Sequence, residues 1–393
     1  MAISSSFPFL PFCLLLWAFT VYANGCYTSI ISFGDSLADT GNLKQLVAKS
    51  NGRPPHFMYP PYGETFFHNP TGRCSNGRLI IDFLAENLGM SLIPPYESVK
   101  SSMEVIEKGQ GVNFAVAGAT ALDSAFHEAQ GVYNAYTNAS LNVQLGWFKR
   151  SLPAICGNPS DCKNWIKKSL ILMGEIGGND YNHPVIAGKS LEELKSYVPL
   201  VINIIISAVT ELIELGAETL VVPGNLPIGC SAAYLTIYYG AQKDEYDNAT
   251  GCLIKLNKFA ECHNELLQTE LNRIRELHPN VNVIYADYYN AAMQFFQSPE
   301  KYGFTNGALT ACCGGGGPYN YNRSVACGYP LSTSCSQPET YANWDGLHLT
   351  EAAYQVIYKS LFQGTYTTPR FNSVCPTSMV QAKDASSSSV QSF

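Results

Sequence analysis

Short apolar runs alternate with longer amphipathic segments along most of the chain. Each run is rich in Ile, Val or Leu and is followed by small or polar residues. Such runs fit buried strands of a parallel sheet, and the segments between them fit the connecting helices. The pattern predicts strands over Ser29–Phe33, Val112–Val116, Ser169–Met173, Thr219–Val222 and Val281–Ala286. It is typical of βαβ units and predicts an α/β fold with a mostly parallel central sheet.

Helix boundaries are visible in several of the connecting segments. Ser190 and Glu193 form a capping box that opens a helix, and Gly216 marks its end. Pro199 inside this segment predicts either a kink or a restart of the helix. The amphipathic pattern predicts three further helices, over Arg78–Leu88, Cys252–Leu277 and Thr350–Leu361.

Composition and charge narrow the function classes. The 393 residues carry 24 basic and 31 acidic side chains, a formal charge of −7, and 46% of them are hydrophobic. This balance predicts a soluble protein with a full core, and the lack of a basic cluster argues against a nucleic-acid partner. No repeat or linker divides the sequence, so we expect a single domain over residues 24–375.

The two ends of the chain differ from the rest. Residues 1–23 are uncharged and apolar and end in small residues, which is typical of a cleaved signal peptide; a membrane anchor is the alternative. We expect no later membrane span, and hence no stable membrane insertion after cleavage. Residues 376–393 are Ser-rich and predict a disordered tail. Three sequons fit a secretory route and predict glycosylation at Asn138, Asn248 and Asn322.

The cysteines indicate disulfides. Thirteen are present, and removal of Cys13 with the signal peptide leaves an even number. Zinc is the alternative, but no C-x-x-C or H-x-x-x-H pair occurs, so we expect no metal site. Cys156 and Cys162 fit a local bridge. Two adjacent cysteines bond more readily to separate partners than to each other. We therefore expect the adjacent Cys312 and Cys313 to bond to separate partners such as Cys327 and Cys335.

Ser36 follows the first predicted strand, in Gly34-Asp35-Ser36-Leu37. Open parallel sheets bind ligands beyond the carboxyl ends of their strands, so Ser36 lies at the edge where chemistry is expected. A Ser after a strand also caps the next helix in many proteins, and position alone does not decide between cap and nucleophile. A nucleophilic Ser needs a histidine base and a third group that holds this base.

His348 is the histidine that best meets this requirement. It follows Asp345 by three residues in a turn that contains Gly346. The spacing lets the carboxylate reach Nδ1 and leaves Nε2 for Ser36, although the D-x-x-H pattern alone is common. Four other histidines are weaker candidates for the base. We expect His263 and His278 to lie at the surface, and no acidic residue directly precedes His56 or His68.

Acyl transfer also needs donors for the oxygen that becomes negative. Gly118 and Asn179 lie in loops after two other predicted strands. Backbone N–H groups and a side-chain amide suit this task because they add no titrating charge. Each is ordinary turn composition by itself, but their positions at separate strand ends predict that they meet Ser36.

Two other templates do not fit. Gly314–Gly317 resembles a phosphate-binding loop, but no G-K-[ST] follows it and cysteines flank it, which favours a disulfide-bounded loop. The G-x-S-x-G elbow of α/β-hydrolases is not met, because Ala38 stands where the second glycine is required. We therefore expect no cofactor and a serine site of another type.

The motifs, in this order, resemble those of the SGNH hydrolases, also called GDSL esterases and lipases. GDSL at 34–37, the Gly118 loop, G-x-N-D at 177–180 and D-x-x-H at 345–348 carry the resemblance, which extends over residues 29–361. Longer stretches such as FGDSLADTGN and CCGGGGPYNYN resemble the plant secreted branch, in particular the acetylajmalan esterase and sinapine esterase type. The resemblance implies a flavodoxin-like three-layer α/β/α sandwich.

The resemblance also implies a role for each candidate residue. Ser36 is expected to be the nucleophile, His348 the base and then the acid, and Asp345 the group that orients His348. The oxyanion hole is expected to consist of the Ser36 N–H, the Gly118 N–H and the side-chain amide of Asn179.

The leading interpretation is a secreted serine esterase that hydrolyses small acetyl or hydroxycinnamoyl esters through an acyl-enzyme. An acyltransferase stays open, because it differs only in admitting an alcohol instead of water after acylation. A non-catalytic extracellular binding protein is a third alternative, against which the intact motifs argue. We expect the apoplast or the vacuole as the compartment. Cys74 and Cys262 receive no role.

Overall fold

The structure, a computed structural model, describes residues 26–50, 54–102 and 111–375. The predictions for the signal peptide (residues 1–23) and the tail (residues 376–393) lie outside these ranges. The strands are β1 Ser29–Ser32, β2 Gly111–Asn113, β3 Ser169–Leu172, β4 Thr219–Pro223, β5 Asn282–Ala286, β6 Gly307–Ala311, β7 Cys313–Gly314, β8 Thr333–Ser334, β9 Tyr341–Asn343 and β10 Thr367–Thr368.

Helices connect the strands and cover both faces of the sheet. The α-helices are Asn42–Ser50, Ile80–Asn87, Tyr96–Val99, Ser124–Ala129, Leu141–Cys156, Pro159–Lys167, Asn179–Ile186, Leu191–Lys195, Val198–Glu214, Ala232–Ile237, Ile254–Leu277, Tyr288–Gln297, Glu351–Tyr358 and Phe371–Val374. A π-helical turn, Lys359–Gln363, extends the helix Glu351–Tyr358.

The central sheet has the strand order β10-β5-β4-β3-β1-β2. The five strands from β1 to β5 are parallel, and only the edge strand β10 is antiparallel to its neighbour. The parallel part has the order 2-1-3-4-5 of flavodoxin-like folds, whose ligands bind where β1 lies between β2 and β3. The predicted fold class is therefore confirmed, and it fixes where a site is expected.

The three layers follow from the alternation of side chains along each buried strand. Ile31 of β1 and Ile171 of β3 belong to one core cluster, whereas their neighbours Ile30 and Leu170 belong to another. Successive residues of a strand point to opposite faces, so each strand contributes to both cores. On one face the helices Leu141–Cys156 and Ile254–Leu277 pack on Val198–Glu214, and on the other Ile80–Asn87 and Tyr288–Gln297 pack on Glu351–Tyr358.

The second strand is shorter than predicted. β2 ends at Asn113, although the apolar run continues to Val116. The chain still runs beside β1, since the Phe114 N–H donates to Ser32 and the Val116 N–H to Gly34. Side chains interrupt the ladder there: the Gln144 amide bonds both the N–H and the carbonyl of Gly34. Sequence periodicity does not reveal such an insertion.

The helix predicted from Ser190 restarts at Pro199. Its capping box is formed as predicted, the helix Leu191–Lys195 ends, and Val198–Glu214 begins with Pro199 in its first turn. Taken as one segment, Leu191–Glu214 has the length and apolar composition of a membrane span, contrary to our expectation. Its buried residues belong to the core, so the apolar composition is explained by packing within the protein.

The described part of the chain contains five disulfides. They are Cys26–Cys375, Cys156–Cys162, Cys230–Cys252, Cys312–Cys335 and Cys313–Cys327. The local bridge and the separate partners of the adjacent cysteines were predicted from the sequence and are confirmed. Cys74 and Cys262 are free thiols, the first buried and the second exposed.

The prediction that His263 lies at the surface was wrong. The side chain is fully buried and its Nδ1 lies 2.8 Å from the Tyr181 hydroxyl. Burial lowers the pKa of His263 to about 3, so the imidazole is neutral. The charged neighbours that suggested exposure lie on other faces of the helix Ile254–Leu277, because side chains one position apart do not share a face.

Candidate active site

Three predicted site residues meet at the carboxyl end of the sheet. Ser36 follows β1, Gly118 lies beyond β2, and Asn179 begins the helix after β3. Because β1 lies between β2 and β3, the loops after these strands converge. All three residues line one cavity, together with Asp345 and His348.

Ser36 lies in an isolated turn and does not cap the helix that follows. The N–H groups of Ala38 and Asp39 donate to the Asp35 carbonyl, whereas the helix begins only at Asn42. Asp39 does the capping, since its Oδ1 accepts from Gly41 and Asn42 at 2.7 and 2.6 Å. The cap reading of Ser36 is therefore excluded, and its hydroxyl is free for another partner.

The turn of D-x-x-H is closed by its own carboxylate. Asp345 Oδ1 accepts the backbone N–H groups of Leu347 and His348 at 3.0 and 2.8 Å. The Trp344 N–H donates to the His348 carbonyl at 2.8 Å, and Gly346 takes a φ of +101°, which favours glycine. The turn thus leaves Asp345 Oδ2 directed at the His348 ring.

Ser36, His348 and Asp345 form a continuous series of hydrogen bonds. Ser36 Oγ lies 2.8 Å from His348 Nε2, and Asp345 Oδ2 lies 2.7 Å from His348 Nδ1. A carboxylate only accepts, so Nδ1 carries a hydrogen, and in the neutral ring Nε2 accepts from the serine hydroxyl. Burial lowers the pKa of His348, but the Asp345 carboxylate raises it more, and the net pKa lies well above its usual range.

The loop that carries Gly118 is held from two sides. Its carbonyl accepts from Asn134 Nδ2 at 2.7 Å and from His183 Nε2 at 3.0 Å. Asp180, of the G-x-N-D motif, accepts the N–H groups of Ala121 and Leu122 at 2.7 and 2.9 Å. Within the described residues, no protein acceptor bonds the N–H of Gly118 or that of Ser36. Both donors are therefore available to a ligand.

Asn179 is fixed by the segment that precedes Ser36. Its Nδ2 lies 3.0 Å from Asp35 Oδ2 and 3.0 Å from the Ala119 carbonyl. Asp35 is buried beside a second carboxyl group, Glu175, to which it hydrogen bonds. Burial and the neighbouring charge raise the pKa of Asp35 well above its usual range, and burial raises that of Glu175. A hydrogen bond between two carboxyl groups needs a proton on one of them, so the pair shares a proton.

The cavity in front of these residues has a volume of about 420 Å³. Its wall is strongly aromatic and includes Tyr133, Tyr136, Tyr234, Phe296, Tyr321 and Tyr329. Among the described residues that line it, Arg323 is the only Lys or Arg, and its Nη1 donates to the Ile186 carbonyl at 3.3 Å. The acidic side chains in the lining are Asp35, Glu175 and Asp345, all buried at the base.

Several site residues were not found by sequence reasoning. His56, which had been set aside for lack of an acid just before it, lines the cavity and so does the buried thiol of Cys74. Tyr62 contacts Asp345 from 283 positions away. No local pattern connects such distant residues, so only the folded chain reveals them. Among the described residues, no group of three His, Cys, Asp or Glu side chains is arranged to hold a metal ion.

Comparison with known proteins agrees with this geometry. The family model described as GDSL-like Lipase/Acylhydrolase matches residues 30–361. The chain belongs to this family. The GDSL esterase/lipase At1g28580 of Arabidopsis thaliana is 54% identical over 361 residues, which cover 92% of this chain and 91% of that protein. The GDSL esterase/lipase At1g31550 of the same plant is 55% identical over 359 residues, covering 91% and 89%.

Membership of the GDSL family identifies the general activity. The chain is a serine hydrolase of the GDSL type that acts on carboxylic esters. Ser36 lies in the family's GDSL tetrapeptide, at residues 34–37. The described part of this GDSL hydrolase has the mostly parallel sheet and covering helices of a three-layer α/β/α fold.

Proposed function

We propose that this GDSL hydrolase is a secreted esterase that cleaves small carboxylic esters through an acyl-enzyme on Ser36. The observation that carries the proposal is the series of hydrogen bonds from Ser36 through His348 to Asp345, at the base of an aromatic cavity. This arrangement supplies a nucleophile, a base and an orienting carboxylate in the order that acyl transfer requires.

The reaction then proceeds in two halves. His348 Nε2 takes the Ser36 proton as Oγ attacks the ester carbonyl, and Asp345 stabilises the imidazolium that forms. His348 returns the proton to the leaving alcohol, which departs and leaves the acyl group on Ser36. Water then attacks the acyl carbonyl while His348 takes one of its protons. The imidazolium returns this proton to Ser36 Oγ as the bond to the acyl group breaks, so the acid is released and Ser36 is restored.

Three donors are assigned to the oxyanion. The N–H groups of Ser36 and Gly118 carry no protein acceptor within the described residues, which supports this role. The two amide hydrogens of Asn179 are directed at Asp35 and Ala119 in the resting protein. To serve the oxyanion, Asn179 has to share one of these hydrogens, while the remaining contact keeps its amide in place. Such donors stabilise charge that develops only in the transition state.

The substrate class follows from the wall of the cavity. Aromatic rings favour an aromatic acyl group such as a hydroxycinnamoyl group, and the volume of about 420 Å³ suits a small ester. Arg323 at the wall disfavours a cationic alcohol such as choline and tolerates a neutral or anionic one. Among the ester types that the resemblance suggests, this argues for acetyl or hydroxycinnamoyl esters of uncharged or anionic alcohols and against choline esters.

Secretion is supported by three features. Five disulfides require an oxidising compartment, and residues 1–23 have the composition of a signal peptide. The sequon residues Asn138, Asn248 and Asn322 are all exposed in the structure, as glycosylation requires. The family match lies within the single domain that we propose for residues 24–375.

The test is a panel of esters assayed with the purified secreted protein. It compares p-nitrophenyl acetate, methyl and choline esters of the same hydroxycinnamate, and p-nitrophenyl palmitate, each with and without an alcohol acceptor. We expect acetyl and methyl hydroxycinnamoyl esters to have the highest kcat/KM, with free acid as the product. Preference for palmitate or for choline contradicts the substrate class, and transfer product in excess of free acid identifies an acyltransferase.

A further inference from the structure

A tyrosine outside the recognised motifs contacts the Asp345 carboxylate. Tyr62 donates its hydroxyl to Asp345 Oδ2 at 2.7 Å, the same oxygen that accepts from His348 Nδ1. The Tyr62 side chain is 1% exposed and packs edge-on against Trp344, the residue before Asp345. A buried hydroxyl held in this way has a fixed direction, so the contact is a lasting part of the site.

A histidine on the far side fixes the direction of this hydroxyl. His56 Nδ1 lies 3.0 Å from the Cys327 carbonyl and 3.2 Å from the Tyr62 hydroxyl. A carbonyl only accepts, so His56 Nδ1 carries a hydrogen, which the Cys327 carbonyl and the Tyr62 oxygen share as acceptors. The Tyr62 hydrogen is then left for Asp345. Burial lowers the pKa of His56, which agrees with a neutral ring.

Cys327 is itself held in place. It is bonded to Cys313, whose N–H donates to the Trp344 carbonyl next to Asp345. The next residue, Gly328, passes so close to His56 that a Cβ there would lie 2.3 Å from the His56 carbonyl oxygen. The disulfide loop and the Asp345 turn therefore form one frame around Tyr62 and His56.

We infer that Tyr62 is a positioning residue for the esterase reaction, which competes with His348 for Asp345 Oδ2 and so weakens the hold of Asp345 on the imidazolium. His56 strengthens the effect, because a hydroxyl that accepts one hydrogen bond donates a stronger one. The inference rests on the proposed function, in which His348 has to give up its proton again at each turnover. Without Tyr62, Asp345 Oδ2 accepts from His348 Nδ1 alone.

The other ionisable groups around His348 and Asp345 do not obscure the effect of Tyr62. The groups that face His348 and Asp345 from neighbouring elements are Asp35, His56, Tyr62, Cys74, Tyr136, Tyr321 and Tyr354. Burial raises the pKa of the thiol and of the tyrosines, which stay neutral. Asp35 hydrogen bonds to Glu175 and not to Tyr62, so a Tyr62 substitution leaves that pair unchanged.

The test is the pH profile of kcat/KM for Tyr62→Phe in the purified full-length secreted protein, with p-nitrophenyl acetate as substrate. The activity of the esterase falls on the acid side as His348 becomes protonated. We expect this limb to move to higher pH in Tyr62→Phe by about 0.5–1 unit, because one hydrogen bond to a charged group contributes on this scale. His56→Leu should move it in the same direction by less.

Tyr289→Phe is the matched control. Tyr289 is also buried, and its hydroxyl also donates to a carboxylate, Glu261 Oε1 at 2.6 Å, away from the residues that line the cavity. The acid limb of the Tyr289→Phe pH profile should stay at the wild-type pH. The inference is overturned if Tyr62→Phe folds and the acid limb of its profile is unshifted or moves to lower pH, even if its activity falls. If Tyr62→Phe does not fold, an unshifted His56→Leu overturns it instead.

A second readout separates this inference from the proposed function. The Nδ1–H proton of His348 is followed by NMR against pH in the resting protein, where no ester is turned over. In Tyr62→Phe the His348 titration should move to higher pH. This NMR result does not depend on whether Ser36→Ala retains esterase activity. The inference about Tyr62 can therefore fail while the proposed function stands, and the proposed function can fail while the inference stands.

Discussion

The amide of Asn179 lies 3.0 Å from the carboxyl group of Asp35, the residue directly before Ser36. One contact thus ties the proposed oxyanion donor to the segment of the proposed nucleophile, across β1 and β3. It also places a buried carboxyl pair, Asp35 and Glu175, behind the site.

Asn179→Ala should lower kcat by about a hundredfold and leave KM nearly unchanged, because an oxyanion donor acts mainly in the transition state. Steady-state kinetics with p-nitrophenyl acetate measure both constants. The thermal midpoint serves as the control for folding. A rise in KM at constant kcat would instead make Asn179 a group that binds the ground state.

Asp35→Asn should keep kcat within about threefold of the wild type, whereas Asp35→Ala should lose at least about tenfold. The neutral amide resembles a carboxyl group that already holds a proton, and it still accepts from Asn179; alanine leaves Asn179 without this partner. Equal losses in the two variants contradict the prediction.

The same pair predicts a pH dependence of stability. The pKa of Asp35 is raised in the folded protein, so its contribution to stability is present at low pH and lost as pH rises above the usual carboxyl range. Asp35→Asn has no carboxyl group at this position, so it lacks this loss of stability. Between pH 5 and pH 8, the thermal midpoint of the wild type should therefore fall relative to that of the variant; a parallel course of the two curves is the contrary result.

For His263 we expect the opposite pH dependence, in which the stability of the fold falls as the pH is lowered. Its pKa is lowered to about 3 by burial, so the unfolded chain binds a proton more readily than the folded one below about pH 6.5. Stability should fall by about 2 kcal/mol between pH 6.5 and 4.5 from this residue. In His263→Asn, which keeps a partner for Tyr181, urea unfolding at the two pH values should show a smaller difference than in the wild type.

Arg323→Gln tests the charge of the substrate. Since Arg323 is the only Lys or Arg in the part of the cavity wall that the structure describes, its loss should raise KM about fivefold for a hydroxycinnamate ester with a carboxylate on its alcohol. KM for the matching methyl ester should not change. If KM rises equally for both esters, Arg323 acts by shaping the cavity and not by its charge.

The sequence predicts the framework of the site well because its signals are local. Apolar runs locate all five parallel strands, and the strand ends carry Ser36, Gly118 and Asn179. The three-residue spacing from Asp345 to His348 is likewise a local feature, and the closed turn between them has the expected contact. Features that depend on one segment of chain are therefore the most accessible from the sequence.

The parts that the sequence does not predict depend on contacts between distant segments. Tyr62 and Cys74 lie far from Asp345 in the sequence, yet both belong to the site in the folded chain. No residue near them in the sequence indicates this position. The charged neighbours of His263 predict a surface position, but its side chain is buried against Tyr181 of another helix. Capping by Asp39 instead of Ser36 is also decided by geometry, since both residue types suit the position.

The central claim is that Ser36 is the nucleophile activated by His348. The most direct measurement is kcat of Ser36→Ala on p-nitrophenyl acetate, with the thermal midpoint showing that the variant is folded. The account predicts a fall of at least about a thousandfold. A folded Ser36→Ala that hydrolyses this ester within tenfold of the wild-type rate would contradict it.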